Sequence, residues 1–199
     1  MRHKLSFALG ATILASTLGL AAQQPSSAPP SKAHPTTTPK STQPATTKTA
    51  MNADHHFVME AAEGGMAEVE MGKLAVDKAS NAKVKDFGQR MVTDHGKAND
   101  ELKSLAASKN ITLPTAMNAK QQATKERLSK LSGATFDRAY MAAMVKDHQA
   151  DAAAFHKQAM SGQDAEIKAW AAKTATMVDE HLKLAREVQK ELGTAKATQ

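Results

Sequence analysis

From Asp54 to Leu192 the apolar residues of this chain recur at three- and four-residue steps, with few β-branched runs and no hairpin turns to interrupt them. That period belongs to helices that bury one face, and it leaves no place for a sheet. The same stretch is rich in Ala, Lys, Glu, Met and Leu, all strong helix formers. The first long helix is expected from about Asp54 to Ala79, with Ala61, Gly64, Gly65, Glu68, Met71, Gly72 and Ala75 facing inward. A second follows the Ser80-Asn81 break and runs to about Ser108 on Val84, Phe87, Met91, His95, Ala98, Leu102 and Leu105. Asn110 to Asn118, which holds Pro114, reads as a loop, and Ala119 to Leu131 as a short helix stopped by Gly133. Thr135 is placed to cap the third long helix, which runs on Phe136, Tyr140, Met144, His148, Phe155 and Ala159 and ends at Gly162. The fourth spans about Asp164 to Leu192 on Ile167, Trp170, Thr174, Met177, His181, Leu184 and Val188.

At a rise of 1.5 Å per residue the four helices match at about 40 Å. Short links within the first and second pairs make the members of each pair antiparallel neighbours. The expected fold is all-α, an up-down four-helix bundle with one short extra helix in the longer crossing between the pairs. The apolar stripes suffice for one core, so residues 54–192 are expected to form a single domain.

The ends of the chain carry a different composition. Residues 1–22 combine a basic start at Arg2, His3 and Lys4 with an apolar run from Leu5 to Ala22 and small residues, Gly19 and Ala21, suited to cleavage. They read as a secretory signal peptide. The other reading is an uncleaved anchor, because the run approaches the roughly 18-residue lower limit of a membrane span. Residues 23–53, made of Pro, Thr, Ser, Ala and Lys without apolar period, are expected to form a disordered tether, and residues 193–199 a disordered tail. The expected location is periplasmic or outer-membrane-associated, with no transmembrane span after cleavage and association with the cell envelope. The chain has no Cys, which excludes lipoprotein anchoring, disulfides and thiolate metal ligands.

The formal net charge of +6 misleads about partners. Arg2, Lys4, Lys32, Lys40 and Lys48 all precede Asp54, the first acid, so the basic excess lies ahead of the helical region. Within that region Lys alternates with Asp and Glu, and aromatics are few. A nucleic-acid-binding face would cluster its bases and present stacking platforms, so nucleic acid is not an expected partner. The protein partner is not specified by anything in the sequence. Nor does the chain show a nucleophile with a partnered base, or a glycine-rich phosphate loop, which argues against a hydrolase or a nucleotide-binding protein.

The chemically pointed feature is a repeat. Met-Val-x-(Asp/Glu)-His occurs as Met91 to His95, Met144 to His148 and Met177 to His181, each inside a long helix. Spacing of four puts the thioether and the imidazole on one face, with the acid about 100° round the helix. Glu68, His95 and His148 lie near mid-helix and His181 about one turn past it, so an antiparallel bundle brings the four near one level. An unpaired carboxylate in a core is costly, and Glu68 is flanked on its face by glycines and alanines that leave room around it. Convergent His and Glu from separate helices is how bundles build metal sites. The candidate metal ligands are therefore Glu68, His95, His148 and His181, with Asp94, Asp147 and Glu180 at the edges of those faces placed to orient the rings. The competing account is that the buried His and Glu hydrogen-bond one another and need no ion. Met91, Met144 and Met177 fall on opposite sides of the His layer and read as core packing rather than as a copper(I) cluster. His55, His56 and His156 lie off the stripes and are expected in solvent.

With these residues in place, Phe57 to Leu192 resembles the ferritin-like family known as domain of unknown function 4142, often labelled predicted outer membrane protein. The resemblance rests on Glu68-Val69 with Gly72 to Ala75, on Val84 to Phe87 and Met91 to His95, on Gly133, Phe136-Asp137, Tyr140, Met144-Val145 and His148, and on His181-Leu182. It implies an exported bacterial helical bundle of ferritin-like topology and brings no established reaction. Di-iron proteins of that topology use Glu-x-x-His, whereas Val92, Val145 and Val178 stand three residues before each His here. A dinuclear ferroxidase centre is therefore not expected. A single ion of iron, zinc, manganese or copper suits the donors better. The alternative function is a metal-free structural or interaction module of the bacterial cell envelope. A redox enzyme on the same residues would need an open coordination position as well.

Overall fold

Five α-helices and no strand make up the described part of the protein, which in this computed structural model is residues 45–194, with side chains described from residue 53. They are α1 (Ala45–Lys78), α2 (Ala82–Ser108), α3 (Ala119–Ser129), α4 (Gly133–Ser161) and α5 (Ala165–Thr194). None is long and apolar enough to cross a membrane. The expected signal peptide and residues 23–44 of the expected tether lie outside the described residues, as do residues 195–199 of the tail.

The boundaries differ from expectation in two places. Helix α1 starts at Ala45, nine residues ahead of Asp54. Pro44 is the last proline before it, and Ala45 to Ala53 contains no helix breaker. Helix α4 starts at Gly133, with Ser132 at the cap position and no side-chain cap hydrogen bond, so Thr135 sits inside the first turn instead of capping it. Gly133 takes φ +57°, a left-handed conformation that glycine adopts without steric cost and that turns the chain sharply out of the preceding loop. The other ends follow ordinary capping chemistry. Asn81 accepts from the Lys83 N–H at the start of α2, Asn118 and Gln121 form a reciprocal capping box on α3, and Asp164 accepts from Glu166 and Ile167 at the start of α5.

Helix α1 packs along α2, and α4 along α5; α2 also meets α5, α1 meets α4, and α3 lies against α1 and α4. The α1–α2 contact is close because both backbones expose glycine. A Cβ built on Gly72 would stand 2.7 Å from the Gly88 carbonyl oxygen, and one on Gly65 would collide with Asn99. Rising numbers in α1 meet falling numbers in α2, so the two run antiparallel. Lys83–Glu191, Arg90–Glu180 and Glu101–Lys173 join α2 to α5 in the same opposed sense. These pairs are exposed and add little stability, each under about 1 kcal/mol. Two buried aspartates lock the turns. Asp137 of α4 accepts from the Ser80 and Asn81 N–H groups in the α1–α2 turn, and Asp54 of α1 accepts from the Gln163 and Asp164 N–H groups in the α4–α5 turn.

The apolar core falls into two clusters. One gathers Met71, Phe87, Met91, Leu128, Phe136, Tyr140, Met144 and Val188; the other gathers Phe57, Val58, Leu102, Phe155, Ile167 and Trp170. Burying each such side chain contributes about 1.5–3 kcal/mol. On every long helix one buried polar residue separates the two clusters: Glu68, His95, His148 and His181. The inward face of α5 is rolled from the expected one, since Val178 is fully buried whereas Met177 is only half-buried. Met91 and Met144 pack as core fillers in the first cluster, but on the same side of the polar layer rather than on opposite sides as expected, because α2 and α4 run in the same sense.

Candidate metal centre

Each member of the polar layer reaches the interior from a different long helix, and each is nearly or wholly buried: Glu68 is 2% exposed, His95 6%, and His148 and His181 0%. The three imidazoles form a near-equilateral group, with ring centroids 5.6 Å (His95–His148), 5.2 Å (His95–His181) and 5.5 Å (His148–His181) apart. Each ring offers one nitrogen such that all three lie within 4.8 Å of one another. Three points so spaced lie no more than about 2.8 Å from a common centre. Imidazole binds zinc at about 2.0–2.1 Å, so a shift of under an ångström per ring brings them to a metal.

Hydrogen bonds settle which nitrogen carries the proton on two of the rings. His148 Nδ1 is 3.0 Å from the Met144 carbonyl oxygen, which can only accept, so Nδ1 donates and Nε2 keeps its lone pair. His181 Nε2 lies 2.9 Å from an Asp94 carboxylate oxygen, which leaves the lone pair on Nδ1. These freed atoms, His148 Nε2 and His181 Nδ1, together with His95 Nε2, are buried without a hydrogen-bond partner. Imidazoles that satisfied one another would pair N–H with lone pair at hydrogen-bond distance, and no such bond joins the three.

Burial disfavours the imidazolium form throughout. His95 is held well below the usual histidine range by desolvation and then by His148 and His181; His181 is pushed down to about 4, mainly by desolvation, against the pull of Asp94. His148 is lowered by burial as well. All three are neutral at pH 7, the form that ligates. Burial by itself would raise the Asp94 carboxyl, but hydrogen bonds from His181 and Arg90 outweigh it and keep Asp94 ionised.

Glu68 flanks the triad and stands outside the group of atoms that lie within 4.8 Å of one another. Its Oε1 is 3.7 Å from His148 Nδ1, too long for a hydrogen bond, and its Oε2 has no partner. Burial first, and Asp147 second, push its carboxyl up to about 8, so it holds a proton at neutral pH until a cation displaces it. Phe87 closes the layer from the side of the first cluster, with its ring centroid 6.1 Å from His148 and 6.5 Å from His181. On another side a cavity of about 340 Å³ reaches Glu68 and His95.

The flanking acids divide three ways. Asp94 holds a ring, that of His181 on another helix and not of its neighbour His95. Glu180 is exposed and pairs with Arg90, and Asp147 lines the cavity. Sequence reasoning passed over Asp151, which lines the same cavity and is raised to about 7 by burial and then by Glu68. Its position three residues after His148 was the signal that pointed to it. Tyr140, whose buried hydroxyl also lacks a partner, was read only as core. His55, His56 and His156 are exposed, as expected.

Known structures with a similar fold include a DUF305 protein from Streptomyces coelicolor (14% identity, TM-score 0.61, 71% of this chain and 92% of that one) and a DUF305 fragment from Deinococcus radiodurans (11%, 0.61, 71% and 96%). A conserved hypothetical protein from Mycobacterium tuberculosis is similar at 14% identity and TM-score 0.57, over 71% of this chain and 93% of that one. At these identities the likeness speaks for the helical fold alone. Among curated proteins none matches. The profile of the family described as "Domain of unknown function (DUF4142)" matches residues 38–188, and the chain belongs to that family.

Proposed function

We propose that this is an exported helical bundle that holds one transition-metal ion on His95, His148 and His181, with Glu68 as a fourth donor beside them. The observation that carries this reading is the meeting of three buried imidazoles that bring one nitrogen each within 4.8 Å of the others, and that each keep one unpartnered nitrogen. Unpaired polar atoms in a core are costly, and a cation accepts their lone pairs together. The donor set of imidazole and carboxylate without thiolate suits iron, zinc, manganese or copper. Bound there, such an ion would supply Lewis acidity or redox chemistry; the residues themselves hold neutral lone pairs in a fixed array.

The architecture that fits this reading is a four-helix bundle of ferritin-like topology in which α1 and α5 run one way and α2 and α4 the other, with α3 in the α2–α4 crossing, rather than a bundle whose helices alternate in chain order. Opposed contacts between α1 and α2 and between α2 and α5 support it. Export to the periplasm or outer membrane is supported by the N-terminal basic-apolar-small pattern.

Metal analysis of protein purified without a His tag, alongside His148→Ala, tests the reading. About one equivalent of metal in the parent and a marked loss in the variant are expected. Equal and negligible metal in both would end it.

A further inference from the structure

The cavity beside the imidazoles is unusually acidic. Five carboxyl side chains line it, from Glu60, Glu63, Glu68, Asp147 and Asp151, against one ammonium, that of Lys120. Elsewhere several acids of α2 and α5 are tied to cations, as Glu101 is to Lys173 and Glu180 to Arg90. Asp147 and Asp151 make no hydrogen bond or salt bridge among the described residues; Lys120 and Lys146 act on Asp147 only at longer range. Two further atoms set this cavity apart from a merely acidic surface. Glu68 and His95 both line it, both are more than nine-tenths buried, and Glu68 Oε2 and His95 Nε2 lack partners. One turn before Glu68 on the same face, Gly64 also lines the cavity, and a Cβ built there meets nothing within 4 Å.

We propose that this cavity, under α3 and between α1 and α4, is the entry site for a hydrated divalent cation on its way to the three imidazoles. Asp147 and Asp151 draw the ion in by charge, and Glu68 receives it at the inner end. This rests on the metal reading above and adds the route and the groups that set the rate of loading. A cleft lined by one sign of charge with low-dielectric walls concentrates counter-ions and raises on-rates by roughly 10- to 1,000-fold. Half-buried aspartates that no side chain binds directly are suited to attracting an ion and releasing it inward. The three buried imidazoles, which are neutral, supply the stronger site for a transition metal.

The test is stopped-flow mixing of the full-length, metal-free protein with Co²⁺ alone, following the visible absorption of the bound ion. The parent is expected to load in a fast phase that slows as salt is raised. Asp147→Asn combined with Asp151→Asn should load at least about tenfold more slowly, with a flatter salt dependence and the same final Co²⁺ per chain. Gly64→Leu, which fills the passage and leaves every charge in place, should also slow loading and keeps the proposal open to failure if the double variant does not fold. Unchanged rates in both variants would overturn the entry site and leave the imidazole site standing. Lost stoichiometry in the double variant would make the aspartates ligands and overturn the proposal as stated. No Co²⁺ uptake by the parent would remove both readings together.

Discussion

His181 on α5 donates from Nε2 to Asp94 on α2 over 2.9 Å, while the other nitrogen of the same ring is buried and unpartnered. A carboxylate holding one side of an imidazole fixes its tautomer and orientation and makes the opposite lone pair a better ligand. Arg90 holds Asp94 in turn, at 3.2 Å. Asp94→Ala is expected to weaken metal binding about 10- to 100-fold, measured by competition against a chromogenic chelator. Asp94→Asn, which keeps an oxygen that accepts the same hydrogen bond, should lose much less; equal losses would detach this contact from the site.

Metal and chelation separate the metal reading from the metal-free envelope module. An ion that binds only the folded chain, at a hundred times its Kd, adds about 2.7 kcal/mol. For a domain of this size that raises Tm by several degrees. Scanning calorimetry with and without EDTA should show the rise and its loss. Identical Tm values in a sample shown to contain metal would favour the metal-free account.

Glu68 gives the metal-free protein a pH dependence of known sign. Its carboxyl rises from 4.5 to about 8 in the fold. Between those values the unfolded chain gives up a proton that the native state keeps, so this group's contribution is full below about pH 4.5 and lost as pH rises through 8. Glu68→Gln keeps the shape and removes the titration. Its Tm relative to the parent should therefore climb from pH 5 to pH 8.5 when both are followed by circular dichroism in EDTA. The three imidazoles act in the opposite direction: their folded values are depressed, so their contribution is lost below about pH 6.5. A Tm difference that stays flat across that range would show that Glu68 is not buried in its neutral form.

The helices and the polar layer were legible because they rest on periodicity and level. His95, His148 and His181 fall near the middle of their helices, and Glu68 near the middle of the part of α1 that follows Asp54, so that opposed packing turns a shared level into proximity. Rotation about a helix axis was less legible. Helix α5 also buries Ala171, Ala175 and Ala185, and such small residues let it roll by about 50°, half of one residue's step, which keeps Ile167, Trp170, His181 and Val188 inside and exchanges Met177 for Val178. The Asp94–His181 contact depends on that same rotation between helices, so which ring Asp94 holds is not encoded in the spacing. The cavity depends on how α3 covers α1 and α4, a matter of tertiary packing that spacing does not encode. Thr135 offered good cap chemistry, but the left-handed turn at Gly133 starts the helix earlier.

Asp137 ties the first turn of α4 to the α1–α2 turn, with 3.0 Å bonds from the Ser80 and Asn81 N–H groups and a further one from the Ser80 hydroxyl. Hydrogen bonds to a charged group contribute about 1.5–3 kcal/mol each, less where water replaces them. Asp137→Ala is expected to cost about 2–3 kcal/mol in urea unfolding, with metal stoichiometry unchanged because His148 lies three turns away along α4. A loss below about 0.5 kcal/mol, the range of ordinary surface changes, would show that the clamp is dispensable.

The Gly72–Gly88 crossing sets how near α1 comes to α2, and so how far His95, two turns beyond Gly88, reaches toward its partners. A Cβ on Gly88 would stand 2.7 Å from the Ala75 Cβ and 2.9 Å from the Gly72 carbonyl oxygen, and neither neighbour is the far end of a flexible side chain. Gly88→Ala must therefore part the helices, at a cost of about 1–3 kcal/mol. Gly96, on the same helix, has nothing within 4 Å of its added Cβ. Gly96→Ala should gain up to about 1 kcal/mol from helix propensity alone. Thermal unfolding of the two variants should move in opposite directions, and metal affinity should fall only for Gly88→Ala. Equal shifts would mean that the close approach of the two backbones does not position the site.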